Sequence, residues 1–249
     1  MTAVLEPVAP KPIAGFEAVE DRTLAAKRRL DSVSSDHDGS GRIEWTRPTP
    51  SAAFSRRDSL APGFPHAANA VREFGYTPYI RPVGGRLAAY HDGALVLDVL
   101  ARVNEPRLGT IARFRDIAIA LSDGLRELGV DARVGGIPGE YCPGDWSVNS
   151  GGRRKIVGTG QRLVRDAVLV TAVIVVGDPE PLARVMTAGY GHLGLEFDPS
   201  TVGAVSDDVP GVTLDDVEEV LVGALSRTLT LDGPNLVGAR RILAPWNPR

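Results

Sequence analysis

The 249-residue chain predicts an α+β fold, with a mixed, largely antiparallel central sheet and helices packed on it. Three observations carry that reading. Thr77 to Val83, Arg86 to His91 and Ala94 to Leu100 are strand-like runs separated only by tight turns, a meander and not a β-α-β crossover. Ala167 to Val176 is a long apolar run of the kind that forms a buried strand. Thr110 to Leu128 places Ile111, Phe114, Ile117, Ala118, Leu121, Leu125 and Leu128 on one helical face, closed by Gly129.

Taken in order, residues 1–13 carry three prolines and predict a flexible arm. Phe16, Val19, Thr23, Ala26, Leu30 and Val33 fall at helical spacing, and the polar loop Ser34 to Gly41 ends that helix. Arg42 to Thr46 and Ser51 to Ser55 are predicted strands, Pro62 to Pro65 a loop, and Ala67 to Phe74 a helix closed by Gly75. Gly84-Gly85 is a two-residue hairpin signal between the first two strands of the meander, and Asp92-Gly93 turns into the third. Asp131 to Val134 is a short strand and Asp145 to Asn149 an alternating segment. A basic strand centred on Lys155 follows, then the apolar run from Ala167. A helix is expected from about Pro181 to Thr187, then a loop holding Gly189, Gly191 and Gly194. Thr213-Leu214-Asp215-Asp216 is a helix-start signature ahead of an apolar stripe at Leu214, Val217, Leu221, Ala224 and Leu225. The organisation expected is a single catalytic domain over 14–235 and an irregular tail over 236–249.

Composition bounds the function. A hydrophobic content of 43% and a charged content of 24% are those of a soluble globular protein, and no apolar run is long enough to span a membrane. The N-terminus lacks the basic and apolar regions of a secretory signal, and a lone cysteine makes no internal disulfide, so a cytoplasmic location is expected. A net charge of −3 argues against a general nucleic-acid binder. The stretch Arg153, Arg154, Lys155, Arg162 and Arg165 contains no acid and predicts a local basic patch for an anionic partner.

The candidate chemistry centres on Cys142, set on the turn-forming Tyr141-Cys142-Pro143-Gly144. A turn keeps a thiol near the surface, and Lys155, beyond the Ser150-Gly151-Gly152 turn, would favour its thiolate if it came alongside. Pro143 has no N–H, so downstream oxyanion donors would come from Gly144 or Asp145. Against this stand two plain alternatives, a small buried hydrophobe at Cys142 and a solvated strand lysine at Lys155. Gly84, Gly85, Gly158 and Gly160 are either turn and bulge glycines or points of close ligand approach. Gly158-Thr159-Gly160 is no dinucleotide fingerprint, and no Walker phosphate loop is present. His37, His66 and His192 are too scattered to predict a metal site, and His91 ends a strand. The residues alone reach a thiol enzyme with a lysine partner.

Two motifs extend this. Arg81-x-x-Gly84-Gly85-Arg86-x-x-x-x-His91-Asp92 and Arg154-Lys155-Ile156-Val157-Gly158-Thr159-Gly160-Gln161 resemble the lipoate–protein ligase A/B and biotin-ligase superfamily. The resemblance implies that fold over most of residues 42–225, with Arg81, Gly84, Gly85, His91, Gly158, Gly160 and Gln161 as substrate-binding positions and Lys155 as the key lysine. Cys142-Pro143-Gly144 ahead of Lys155 resembles the branch that moves octanoyl groups from the glycine cleavage H protein to the lipoyl domains of 2-oxoacid dehydrogenases. It implies Cys142 as acyl-carrying nucleophile, Lys155 as oxyanion stabiliser, those two proteins as partners, and no cofactor. No nucleic acid or membrane partner is expected. The acyl chain would meet Val83, Leu87, Val157 and Leu169, and Arg153 to Arg165 would dock an acidic carrier domain. Pro82 stands where many relatives carry a second arginine, favouring the ATP-free branch. Arg86 stands where ligases often have a third glycine, and is expected to narrow the pocket or contact a partner domain. The competing readings are an ATP-dependent lipoate–protein ligase, needing ATP and Mg, and a non-catalytic acyl-carrier binder.

Overall fold

β-Branched and small apolar residues dominate Ala94–Arg102 and Ala167–Val175, and these two segments pair antiparallel through the middle of a six-stranded sheet. The computed structural model describes residues 17–35 and 42–229. Phe16, His37, the expected arm over 1–13 and the expected tail over 236–249 lie outside the described residues.

In chain order the elements are β1 (Glu20–Asp21), α1 (Thr23–Ser35), β2 (Arg42–Thr46), β3 (Ser51–Phe54), α2 (Phe64–Glu73), β4 (Thr77–Ile80), β5 (Ala88–Tyr90), β6 (Ala94–Arg102), α3 (Thr110–Glu127), β7 (Ala132–Val134), β8 (Val148–Ser150), β9 (Arg154–Leu163), β10 (Ala167–Val175), α4 (Pro179–Leu193) and α5 (Leu214–Leu229). The six-stranded sheet runs β2-β6-β10-β9-β8-β7, antiparallel throughout; a four-stranded sheet runs β1-β4-β3-β5.

Alternation along β10 divides the two faces of the large sheet. Val170, Ala172 and Ile174 face α3 and α5, where they join Ile117, Leu121, Leu125, Val217, Leu221 and Leu225 in the main core. Leu169, Thr171 and Val173 face the other way, toward the small sheet, and line a cavity. The small sheet packs its own outer side on α2 and α4 through Phe54, Phe64, Val71, Leu182, Val185 and Tyr190. Helix α1 lies over the edge of the cavity, with Leu30 and Val33 against Leu100, Leu169 and Val83.

The α+β class holds, but the meander does not. β4 and β5 are not hydrogen-bonded to each other; β3 lies between them, parallel to β4 and antiparallel to β5. The chain thus makes a β3-α2-β4 crossover, and residues 81–87, with Gly84-Gly85, form a loop between strands and not a hairpin turn. The loop's departure from pairing is what places Arg81 and the Arg86 amide at the cavity mouth. Other boundaries shift for local reasons. α1 starts at Thr23, whose amide donates to Asp21 Oδ1 at 2.9 Å. α2 starts at Phe64, with Pro65 at a position where its missing N–H costs nothing. Ile111 is 68% exposed, because the first turn of α3 projects beyond the core. α5 begins as expected, with Thr213 Oγ1 accepting from Asp216 N at 3.2 Å and Thr213 N donating to Asp216 Oδ2 at 2.9 Å.

Helix α4 runs to Leu193, so Gly189 and Gly191 lie inside a helix and not in a loop. Gly189 is there for packing: a Cβ on it would sit 2.3 Å from Leu87 Cδ2, and Leu87 is fully buried. Gly189→Ala gains about 1 kcal/mol of helix propensity but overpacks the site at about 1–3 kcal/mol. A net loss of stability is therefore expected, read as a lowered urea midpoint with an unchanged slope.

Candidate active site

Three segments converge on Cys142. The loop 137–147 carries it, the loop 81–87 faces it, and β9 runs beneath it. Cys142 sits at φ +43°, in the left-handed region that non-glycine residues seldom occupy. Pro143 disfavours the right-handed alternative for the residue before it. The conformation is held from behind: Cys142 N donates to Tyr190 Oη at 2.7 Å, and that hydroxyl donates to Leu87 O at 3.0 Å. Burial pushes the Tyr190 phenol well up, so it stays neutral and keeps both bonds. The sulfur is thereby aimed at donors. Arg86 N lies 3.1 Å and Arg81 Nη2 3.4 Å from Cys142 Sγ, and Arg81 Nη2 also donates to Arg86 O at 2.5 Å. Gly85 makes the approach possible: it has φ +105°, and a Cβ there would lie 2.6 Å from the sulfur.

Lys155 is 1% exposed, and each of its three N–H directions has an acceptor. It donates to Glu140 Oε1 at 3.1 Å, Tyr141 O at 3.0 Å and Cys142 O at 2.9 Å. Glu140 is equally enclosed and accepts from Ile137 N, Gly144 N and Ser147 Oγ at 2.8–3.1 Å. One buried ion pair thus staples the cysteine loop to β9. Gly144 N–H is committed to Glu140 and so does not serve as the downstream oxyanion donor; the amide facing the sulfur is that of Arg86. Burial lowers the Lys155 ammonium pKa, opposed by Glu140 and Cys142. Burial alone would raise the thiol; the charges of Arg81 and Lys155 and the Arg86 N–H outweigh it and hold Cys142 below the ordinary cysteine value.

The register of β9 decides what shares the site. Val148 pairs with Val157 but Asn149 pairs with Lys155, so Ile156 is an extra residue, a β-bulge. The bulge puts Lys155 on the cavity face together with Gly158 and Gly160, an odd and an even position that plain alternation would separate. Gly160 leaves room for Val83, whose Cγ2 a Cβ there would approach to 2.8 Å. The cavity, of about 200 Å³, has Cys142, Lys155, Arg81, Gly158 and Gly160 at one end, and Val83, Leu169 and Val173 among its apolar walls.

The expected positions therefore divide. Arg81, Gly158 and Gly160 line the cavity, while Gly84 and Gly85 line an outer groove at its mouth. Gln161 points to the other face, accepting from Arg113 Nε at 2.9 Å and donating to Thr110 O, and so ties β9 to α3. His91 is buried in the turn after β5: Nδ1 accepts from Gly93 N at 2.8 Å and Nε2 meets Asp178 O at 2.9 Å. Of the expected walls, Val157 belongs to the α3–α5 core, since it sits on the opposite face of β9, and Leu87 packs on α4. The Arg86 side chain does not narrow the cavity; Nη1 pairs with the fully buried Asp58 at 3.1 Å. The basic stretch from Arg153 is not one patch. Lys155 points inward, Arg154 pairs with Asp207 at 3.0 Å, and Arg162 turns into the outer groove, donating to Pro82 O at 3.1 Å. There it meets Arg56, Arg57, Arg81 and Arg86, so that the groove collects arginines from three separate segments, 56–57, 81–86 and 162. His66 and His192 do meet, ring centroids 5.9 Å apart, yet among the described residues no cluster of three or more His, Cys, Asp or Glu could hold a metal. Glu140, Tyr190 and Asp58 were not singled out in the sequence. Only Glu140 had a visible signal, an acid two residues before the cysteine on the same turn.

Two outcomes follow. Arg81→Met removes a cation that favours thiolate while the burial stays, so the pH midpoint of Cys142 alkylation by iodoacetamide should rise. The unmodified protein should titrate below the ordinary cysteine value of about 8.5, its rate climbing with pH and then levelling. Lys155→Met strands Glu140 as a buried carboxylate and should cost about 3–5 kcal/mol in urea unfolding; adding Glu140→Gln should recover part of it.

The comparisons with known proteins agree with this geometry. The family model for the lipoyl protein ligase A/B catalytic domain matches residues 65–226. Two proteins named Octanoyl-[GcvH]:protein N-octanoyltransferase are similar in sequence. That of Geobacillus kaustophilus is 26% identical over 76% of this chain and 69% of its own length. That of Oceanobacillus iheyensis is 25% identical over 68% of this chain and 64% of its own. The chain thus spans about two thirds of the length of these relatives. Among solved structures, a lipoate-protein ligase A bound with ATP superposes with TM-score 0.63 at 20% identity, over 84% of this chain and 80% of that one. A bi-partite lipoate protein ligase from Thermoplasma acidophilum gives 0.61 at 19%, over 87% and 84%. No described helix is long and apolar enough to cross a membrane. With its fold and residues 65–226 both matching, the chain belongs to the lipoyl protein ligase A/B catalytic domain family.

Proposed function

We propose that the protein is an octanoyl/lipoyl amidotransferase that carries the acyl group on Cys142. The observation that supports this most directly is a thiol with a lowered pKa, held by two N–H donors at the mouth of an apolar cavity. The thiolate attacks the carbonyl of an octanoyl-lysine amide on a donor carrier domain. The C–N bond breaks, the departing lysine amine takes a proton from solvent, and a thioester remains on Cys142. The acceptor lysine, as free amine, attacks that thioester; the amine loses its proton, the C–S bond breaks, and the thiolate returns. One amide replaces another, so no ATP is consumed.

The chain's residues divide this labour. Arg81 and the Arg86 amide, now on the sulfur, are placed to receive the oxyanion that forms on the adjacent carbon. Lys155, with its donors occupied, acts through its charge and by holding the Cys142 carbonyl. The cavity takes the hydrocarbon tail, and about seven buried methylenes contribute up to ~5 kcal/mol. The donor named for the sequence relatives is an octanoylated GcvH, the glycine cleavage H protein, and we assign it here. Lipoyl domains of 2-oxoacid dehydrogenases are the acceptors. The arginine groove beside Cys142 is the docking side for such carriers.

The same groove supports a second reading, an ATP-dependent ligase, because arginines at the mouth of the cavity also suit a phosphate chain. Incubation with octanoylated carrier and no ATP separates the two. Intact-mass analysis should show one octanoyl group on Cys142, and Cys142→Ala should lose both that adduct and transfer. Transfer that needs ATP and survives Cys142→Ala would establish the ligase. A Cys142→Ala protein that binds carriers, beside a parent that never turns over, would establish a binding protein.

A further inference from the structure

Asp58 is a fully buried carboxylate that no step of the proposed transfer uses. It stands just after β3, the strand paired on both sides in the small sheet. Its Oδ2 accepts from Ser55 N at 2.9 Å and from Ser55 Oγ at 2.8 Å, and its own amide donates back to Ser55 Oγ at 3.1 Å. Those bonds fix the carboxylate at the end of the strand and turn Oδ1 to Arg86 Nη1, 3.1 Å away. Every group that reaches the carboxylate is a donor. The position therefore needs two accepting oxygens, and a side-chain amide would turn its NH2 on one of the donors.

Arg86 carries the other half of the connection. Its side chain goes to Asp58, its N–H lies 3.1 Å from Cys142 Sγ, and its carbonyl accepts from Arg81 Nη2, the second donor on the sulfur. The residues before it give the chain little hold. Gly84 and Gly85 are exposed, and a Cβ on Gly84 would meet nothing within 4 Å. Gly85, at φ +105°, leaves the 85–86 peptide free to rotate. Such a rotation takes the N–H off the sulfur without moving Leu87, which is fully buried on its own account. Packing thus fixes where the loop ends, and the bond to Asp58 fixes how Arg86 sits in it.

We infer that Asp58 is a positioning residue for Cys142: by tying down the Arg86 side chain it holds both donors, the Arg86 N–H and the Arg81 guanidinium, on the sulfur. The inference rests on Cys142 being the reacting group, as proposed above. Asp58 acts by geometry and not by charge, since its own charge is matched by Arg86. The charges that act most on the thiol are those of Arg81, after β4, and Lys155, on β9, with the buried phenols of Tyr141 and Tyr190 beside it. The two kinds of action have opposite signs. Removing a negative charge by itself favours thiolate, whereas removing a hydrogen-bond donor disfavours it.

Alkylation of Cys142 by iodoacetamide across pH reads the sulfur directly and needs no acyl transfer. Asp58→Asn should raise the pH midpoint by about one unit, the effect of one hydrogen bond to a charged group, although it removes an acid. Arg86→Met keeps the main-chain N–H and should raise the midpoint by a similar amount. The double variant Asp58→Asn/Arg86→Met leaves the net charge unchanged and should raise it no further than either single change, because the two residues act as one tether. Folding is checked by the urea midpoint, and the neutral double variant keeps the test open where a single variant, left with one unmatched charge, fails to fold. An unchanged or lowered alkylation midpoint in folded Asp58→Asn or in the folded double variant overturns the positioning role. So does a rise with Asp58→Asn that Arg86→Met does not share, or a double variant whose rise is the sum of the two. Failure to form an acyl-enzyme overturns the transferase reading instead, and leaves these midpoints as they were measured.

Discussion

The buried pair of Lys155 and Glu140 is the interaction on which the site depends. Both side chains are almost wholly removed from water, at 2% and 0% exposure. Isolated, either charge would be expensive; together with three hydrogen bonds from the loop 137–147 to Glu140 and two from Lys155 to backbone carbonyls, the pair is fully satisfied. Its structural effect exceeds its net energy. The loop buries Ile137 and Tyr141, and Thr159 Oγ1 donates to Trp146 O at 3.1 Å, but it is the pair that joins the loop to β9 at Cys142 itself. The pair converts a polar turn into a fixed wall of the cavity.

That fixed wall is what permits strain at the cysteine. A left-handed φ at a non-glycine residue costs about 1–3 kcal/mol and persists only where the surroundings over-determine it. Lys155 holds the Cys142 carbonyl and Tyr190 holds its amide, so both peptide units flanking the residue are pinned. With the backbone fixed, the side chain points at the Arg86 amide. The two sheets therefore contribute different things. The large sheet supplies the lysine and the floor, and the small sheet, through its loop after β4, supplies the donors.

Much of this was legible in the sequence where one physical signal dominates. The helix at Thr110, the strands at Ala94 and Ala167, and the Thr213 cap follow from periodicity and capping chemistry that no tertiary contact opposes. The pairing of Cys142 with Lys155 was legible as proximity in the chain. What was hidden depended on register and on distant partners. Gly84-Gly85 has hairpin chemistry, yet β3 intervenes between the flanking strands, because its all-buried Ser51–Phe54 pairs better in the centre of the small sheet than at an edge. The bulge at Ile156 has no glycine or proline to announce it, and it turned Val157 from an expected cavity wall into part of the opposite core. The run of basic residues from Arg153 was dispersed for the same reason: alternate positions on a strand face opposite ways. The arginine groove that does exist collects residues from positions 56–57, 81–86 and 162, which no window of sequence would join.

Charge balance explains why the Cys142 thiol and its cations belong together. Around the sulfur, Lys155 is matched by Glu140, and Arg86 by Asp58, but Arg81 donates to the Arg86 carbonyl and to the sulfur, not to a carboxylate. With a neutral thiol the charge of Arg81 is in excess beside the sulfur. Ionisation of Cys142 removes that excess, which is why the thiol is held below its ordinary value despite its burial. In the transfer reaction proposed above, acylation would take the negative charge away, because a thioester is neutral, and the excess would reappear beside the new carbonyl. The site would at that moment be set for the next anion of the proposed reaction, the oxyanion of the second tetrahedral intermediate. The Arg81 guanidinium would thus serve both half-reactions of the proposed transfer, favouring thiolate in the first and the developing oxyanion in the second. The same charge would serve poorly if Arg81 were paired with an acid, since the carboxylate would satisfy it in every state and leave nothing to be gained at the transition state.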